Sequence, residues 1–180
     1  MFFKKYLYDR NGLWIYGSVL IVLNILLTQF PLTNTFGYEF AAVNGLLFVV
    51  IAGLQTLSLL KKSEFVIEKL IKNLFILFVI PFLIIIVYSL LTMFCSFWDG
   101  LIFYILIAGT SILFGTAIAF IVNLITRRFN RVLFFLIILF TALIPILEIY
   151  FNPQVYFYSP LIGFFPGNIY DEGLSADWKL

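Results

Sequence analysis

The sequence has no histidine, one cysteine and few charges. Lacking histidine, it lacks the commonest general base and the commonest transition-metal ligand. The single cysteine, Cys95, rules out an intrachain disulfide, and no basic neighbour in sequence activates it as a nucleophile. There is no Gly-rich phosphate loop, no HExxH, no CxxC and no GxSxG. The apolar stretches hold neither a Ser/Lys nor an Asp/Asp pair of the kind that intramembrane proteolysis would need. These gaps argue against an enzyme, and no catalytic, cofactor-binding or metal-binding set is expected. The net charge of +2 gives no reason to expect a nucleic-acid partner.

Only 11% of the 180 residues are charged, whereas a soluble domain carries about 25%. Hydrophobic residues make up 63% of the chain, and 23 residues are phenylalanine. A soluble core of this size could not hide so much apolar surface, but lipid removes the difficulty. A helix needs about 20 apolar residues to cross a bilayer. Five stretches qualify, at about residues 13–30, 40–60, 73–94, 101–126 and 132–151. They are long and continuously apolar, which fits helices better than the alternating strands of a barrel. The expected fold is therefore an all-α integral membrane bundle of five helices over residues 1–151, followed by an extracytoplasmic tail over 152–180. Lys4, Lys5 and Arg10 before the first stretch resemble the start of a signal peptide, but no small-residue cleavage pattern follows, so it reads as an uncleaved span.

The placement of charge supplies an orientation. Lys4, Lys5 and Arg10 precede span one. Lys61, Lys62, Lys69 and Lys72 separate spans two and three, and Arg127, Arg128 and Arg131 separate spans four and five. Every basic residue except Lys179 thus falls on one side, and by the positive-inside rule that side is cytoplasmic. The N-terminus is then inside and the C-terminus outside. Richness in Phe, Ile, Lys and Asn fits an AT-rich bacterial genome, so the expected location is a bacterial cytoplasmic membrane. Residues 61–72 carry Glu64, Glu68 and Lys72 at four-residue steps beside Phe65, Ile67, Leu70 and Ile71. They read as an interfacial helix or as an extension of span three.

Within the spans, small residues repeat at helical steps. Ser111, Gly115 and Ala119 line one face of span four, and Ala41, Gly45 and Gly53 recur in span two. Small residues let helix backbones approach in lipid, so these two spans are expected to pack together. The alternative is a smooth wall for a substrate cavity. The polar residues Asn24, Asn44, Gln55 and Asn123 are read as interhelical hydrogen-bonding groups or, alternatively, as ligands of a transport site. Glu148, three residues after Pro145, is the one acidic residue placed inside a span, where it could carry a proton or bind a cation. Pro81 is expected to kink span three.

The tail is punctuated by Pro153, Pro160, Gly163, Pro166, Gly167 and Gly173 and reads as a membrane-to-exterior junction. Pro166-Gly167 suits a type II turn. Asp171, Glu172 and Asp177 match no calcium loop and read as a solvated turn. Three functions remain open. The first is a non-catalytic membrane module, embedded in lipid and partnered by other membrane-protein subunits or by itself, or anchoring a longer chain. The second is a small-molecule or ion transport component. The third is an outer-face lipid-modifying enzyme using Asp171, Glu172 or Glu148.

Overall fold

The computed structural model describes residues 2–61, 67–91, 97–151, 157–159 and 163–165, with side-chain surroundings over 12–61, 67–91 and 97–144. Six α-helices are present among them: α1 Phe2–Leu27, α2 Tyr38–Leu60, α3 Ile67–Ser89, α4 Phe97–Phe103, α5 Gly109–Ile125 and α6 Asn130–Phe151. A π-helical turn, Tyr104–Ala108, joins α4 to α5 without a break. Three segments, Tyr38–Leu60, Ile67–Ser89 and Phe97–Ile125, are long and apolar enough to cross a membrane, while Gly12–Leu27 and Asn130–Ile144 are apolar but shorter. In the tail, Phe157–Ser159 (β1) pairs antiparallel with Gly163–Phe165 (β2), with Tyr158 opposite Phe164. Reading the sequence for turns did not anticipate this hairpin. The Pro166-Gly167 turn, the carboxylates at 171, 172 and 177, and Cys95 lie outside the described residues.

Helix ends follow from local chemistry. The last turn of α1 tightens, with Gln29 N–H donating to Leu26 O and Phe30 N–H to Leu27 O. Thr33 Oγ1 then donates to Leu27 O at 2.7 Å, a second and shorter bond to the carbonyl at the helix end. Pro31 follows, so the first apolar stretch stops being helical before Phe30. Helix α2 starts after Gly37 in extended conformation, with Glu39 in its first turn where the helix dipole favours an anion. Helix α3 begins at Ile67, so residues 67–72 extend the third apolar stretch. It ends at Ser89, short of the expected 94.

Helix α2 is the hub. Its most extensive contact is with α5, and it also touches α1, α3, α4, the π turn and α6, while α1 packs mainly on α3. The α2–α5 pair runs parallel. Near their amino-terminal ends Gly100 abuts Phe36, and further along Gly115 abuts Val49. A Cβ on Gly115 would overlap the Val49 carbonyl oxygen, so only glycine permits this backbone approach. Gly53 likewise receives the ring of Phe134 from α6 in the space a side chain would occupy. Gly109, at the end of the π turn, has nothing within 4 Å of its Cβ position. Alanine there is therefore expected to be neutral or to stabilise by up to about 1 kcal/mol, the helix-propensity difference. Equilibrium unfolding in detergent measures this directly.

The bundle has an apolar outside. Leu83, Val87, Leu113, Leu124 and Phe140 are all more than half exposed. Their number and spread call for an apolar solvent around the helices. Charge is segregated. Lys61, Lys69, Lys72, Arg127, Arg128 and Arg131 cluster where α2 and α5 end and where α3 and α6 begin. Glu39 and Asp99 stand at the opposite end, while Glu68 lies at the basic end.

Candidate functional site

Polar side chains with no charge to balance are the chemically notable groups in the interior. Asn24 on α1 and Asn44 on α2 are wholly buried. Each turns its amide nitrogen back onto its own helix. Asn24 Nδ2 donates to Leu20 O and Asn44 Nδ2 to Phe40 O, both at 3.0 Å. Each Oδ1 is left without a hydrogen-bond partner among the described residues. The same holds for Gln55 Oε1 and Ser111 Oγ, and for both polar atoms of Asn130 at the start of α6. Thr28, one turn beyond Asn24, is also buried, but it is satisfied by Ile25 O at 2.8 Å.

Register sorts these groups into two levels. Gln55 Oε1 lies 3.7 Å from the Cβ position of Gly12, which fixes where antiparallel α1 and α2 meet. Asn24 is twelve residues beyond Gly12 and Asn44 is eleven before Gln55. At about 1.5 Å per residue the two asparagines therefore share one level, about 16 Å from Gln55. Ser111 is level with Gly45, because Gly115 abuts Val49 four residues further on in each helix. On α5, Asn123 is half-buried and level with Leu57, close to the Gln55 level. The expected polar set thus divides, with Asn24 and Asn44 at one level and Gln55 and Asn123 at the other. The side chain of Glu148 lies outside the described residues, although α6 runs through it as a helix.

The small residues Ala41, Gly45, Gly53, Ser111, Gly115 and Ala119 are all buried. Gly115 meets the Val49 backbone between α2 and α5, and Gly53 takes the Phe134 ring of α6.

Sequence reasoning missed Tyr104. It is the largest wholly buried side chain among the described residues, and its ring is surrounded by those of Phe36, Phe40, Phe48, Phe78 and Phe82, with centroids 4.9–6.4 Å away. Its hydroxyl donates to Phe78 O at 2.6 Å. Pro81, three residues on, offers no N–H to the Leu77 carbonyl and loosens this turn of α3. The Tyr104 hydroxyl thus ties the π turn to α3 at the turn that Pro81 loosens. The one sequence signal was Pro81, which announces a loosened turn but not the group that fills it.

Comparison with protein-family models, with characterised proteins and with solved structures finds no match for this chain. Among the described residues no group of three or more acidic or cysteine side chains could hold a metal ion. The chemistry on offer is neutral hydrogen bonding inside a tightly packed apolar bundle.

Proposed function

We propose that the chain is a non-catalytic membrane module of five spans, with its N-terminus cytoplasmic and its C-terminus outside. It serves as an embedded subunit of a complex or as the N-terminal anchor of a larger protein in a bacterial cytoplasmic membrane. The observation that supports this reading most is close packing between helices. Val49 lies against Gly115 and Phe134 against Gly53, and the Tyr104 ring cluster occupies the junction of α2, α3 and the π turn. The segregation of Lys and Arg to one end favours the stated orientation.

One observation favours a transport component instead, namely the orphaned oxygens of Asn24, Asn44 and Gln55. Their division between two levels speaks against a single substrate site built from all three.

Two measurements test the proposal. With Cys95 replaced by serine, single cysteines at Asn34 and Arg128 are probed on intact cells with a membrane-impermeant thiol reagent. Labelling at 34 and protection at 128 is expected, and the reverse pattern overturns the orientation. Purification in mild detergent followed by mass spectrometry is expected to recover a stoichiometric membrane-protein partner. A lone chain carrying a bound small molecule would instead favour transport.

A further inference from the structure

The charges at the basic end are not shared evenly among the helices. The side of α1 and α3 is mixed, with Asp9 and Arg10 on α1 and Glu68, Lys69 and Lys72 on α3. These two helices pack mainly on each other. The side of α2, α5 and α6 is purely cationic. It carries Lys61, Arg127, Arg128 and Arg131, and the acids on the same stretches of chain, Glu39, Asp99 and Glu148, stand toward the opposite end. Register brings the four cations to one corner. Val49 meets Gly115, and twelve residues further along parallel α2 and α5 come Lys61 and Arg127. About one turn before that point, Leu57 and Val122 still share a buried cluster with Phe134 of α6. Arg128 and Arg131 follow across the short link into α6.

All four side chains are exposed. Beside them Leu124, Ile125, Phe129 and Val132 are each more than half exposed, so the cations stand where the apolar girdle meets water. Arg128 lies over the Phe129 ring, 5.5 Å from its centroid, which holds that guanidinium at the border. Helix α6 starts at the same place. The Phe129 carbonyl accepts the Leu133 N–H at 3.0 Å, but a phenylalanine side chain cannot cap the other donors of the first turn. The positive end of the helix therefore adds to the field of the arginines.

We propose that this corner binds the headgroup of an anionic phospholipid. Arg127, Arg128 and Arg131 hold the phosphodiester, and the acyl chains lie along the exposed apolar residues of α5 and α6. A guanidinium donates two parallel N–H bonds to a phosphate. A phosphate that carries its own apolar chains matches both the cations and the residues that border them, which inorganic phosphate does not. A zwitterionic headgroup would bring an ammonium into a corner whose own helices offer it no carboxylate. The inference rests on the membrane reading above, but not on the orientation or on a partner subunit.

The test is native mass spectrometry of the full chain released from detergent micelles. The chain is titrated with phosphatidylglycerol and with phosphatidylcholine of identical acyl chains. Wild type is expected to prefer phosphatidylglycerol by more than about fivefold, the factor for one basic residue worth about 1 kcal/mol at an anionic headgroup. Each of Arg127→Gln, Arg128→Gln and Arg131→Gln is expected to weaken phosphatidylglycerol binding by about that factor and to leave phosphatidylcholine binding unchanged. The double change Lys69→Gln and Lys72→Gln, on the mixed side, is expected to alter neither. Equal affinity of wild type for the two lipids would overturn the proposal. So would an equal loss in the lysine variant, which would make the preference a property of the whole basic end. Inorganic phosphate is expected not to compete, and displacement of the lipid by it would assign the corner to free phosphate and reject the lipid. The wild-type comparison decides the question even if an arginine variant fails to insert. Binding of neither lipid, by a chain that stays monodisperse without detergent, would remove the membrane reading itself and the proposal with it.

Discussion

Replacing Gly115 by valine is expected to destroy the stable bundle. Each added atom must enter space already held by the α2 backbone at Val49, where the nearest group is a carbonyl oxygen that cannot rotate away. Overpacking a core against mobile side chains costs about 1–3 kcal/mol. Here the relief must come from separating two helices along their whole seam. That seam carries Ala41, Gly45, Ser111 and Ala119, all buried, and in lipid close packing is the main force joining them. The loss is expected to exceed about 3 kcal/mol, the upper end for ordinary overpacking. It should be seen as aggregation on gel filtration and a lost cooperative melt, read from intrinsic tryptophan fluorescence. Gly115→Ala should fall between valine and wild type. If valine leaves the melt unchanged, the close α2–α5 approach is wrong.

Truncating Tyr104 to alanine is expected to cost about 3–5 kcal/mol, the range for removing a large aromatic side chain from a core. Five phenylalanine rings lose their common neighbour, and the Phe78 carbonyl loses its hydroxyl donor. Tyr104→Phe separates the two effects. It keeps the ring and removes only the oxygen, so it is expected to cost about 1–3 kcal/mol for an unsatisfied buried carbonyl. Pro81→Ala made on top of Tyr104→Phe should recover part of that loss, because alanine supplies the Leu77 carbonyl with the backbone donor that proline lacks. The same Pro81→Ala change in the wild-type background should be worth a similar amount, since the hydroxyl bonds Phe78 O and not Leu77 O. Denaturant unfolding in mixed micelles yields all four values. Equal stability of Tyr104→Phe and wild type would show that the hydroxyl bond to Phe78 O contributes nothing.

The sequence exposed some of this and hid the rest for physical reasons. Long apolar runs broken by charge mark helices because both lipid and helix geometry are periodic and local, and α2, α3 and the α4–α5 segment lie where such runs lie. Residues four apart, such as Ser111, Gly115 and Ala119, mark one helix face, and that face is the buried one. What two helices do to each other is not local. Nothing in the order of residues says that Asn24 is level with Asn44 or that Gln55 is elsewhere, since that depends on where α1 meets α2. Tyr104 was inconspicuous as one aromatic among many in an apolar run. Its role appears only when Phe36, from the loop before α2, and Pro81, from α3, arrive beside it. The β1–β2 hairpin was hidden for a related reason, because three-residue strands are too short to show alternation.

The π turn has a consequence for the chain's phase. Up to its first residue, facing positions are 64 apart, as in Phe36, just before α2, with Gly100 of α4, and Phe40 of α2 with Tyr104, where the turn begins. After it, Val49 faces Gly115, 66 positions apart. The wider turn lets α5 slip forward against its parallel neighbour, so that two contact zones with different spacing fit one continuous helix. It works like the offset scale of a vernier. Deleting one residue between Ile105 and Ala108 would leave a regular helix with its composition almost intact. Every side chain beyond the cut would then be turned by about 100° relative to those before it, so that Gly115 and the Tyr104 cluster could no longer both face α2.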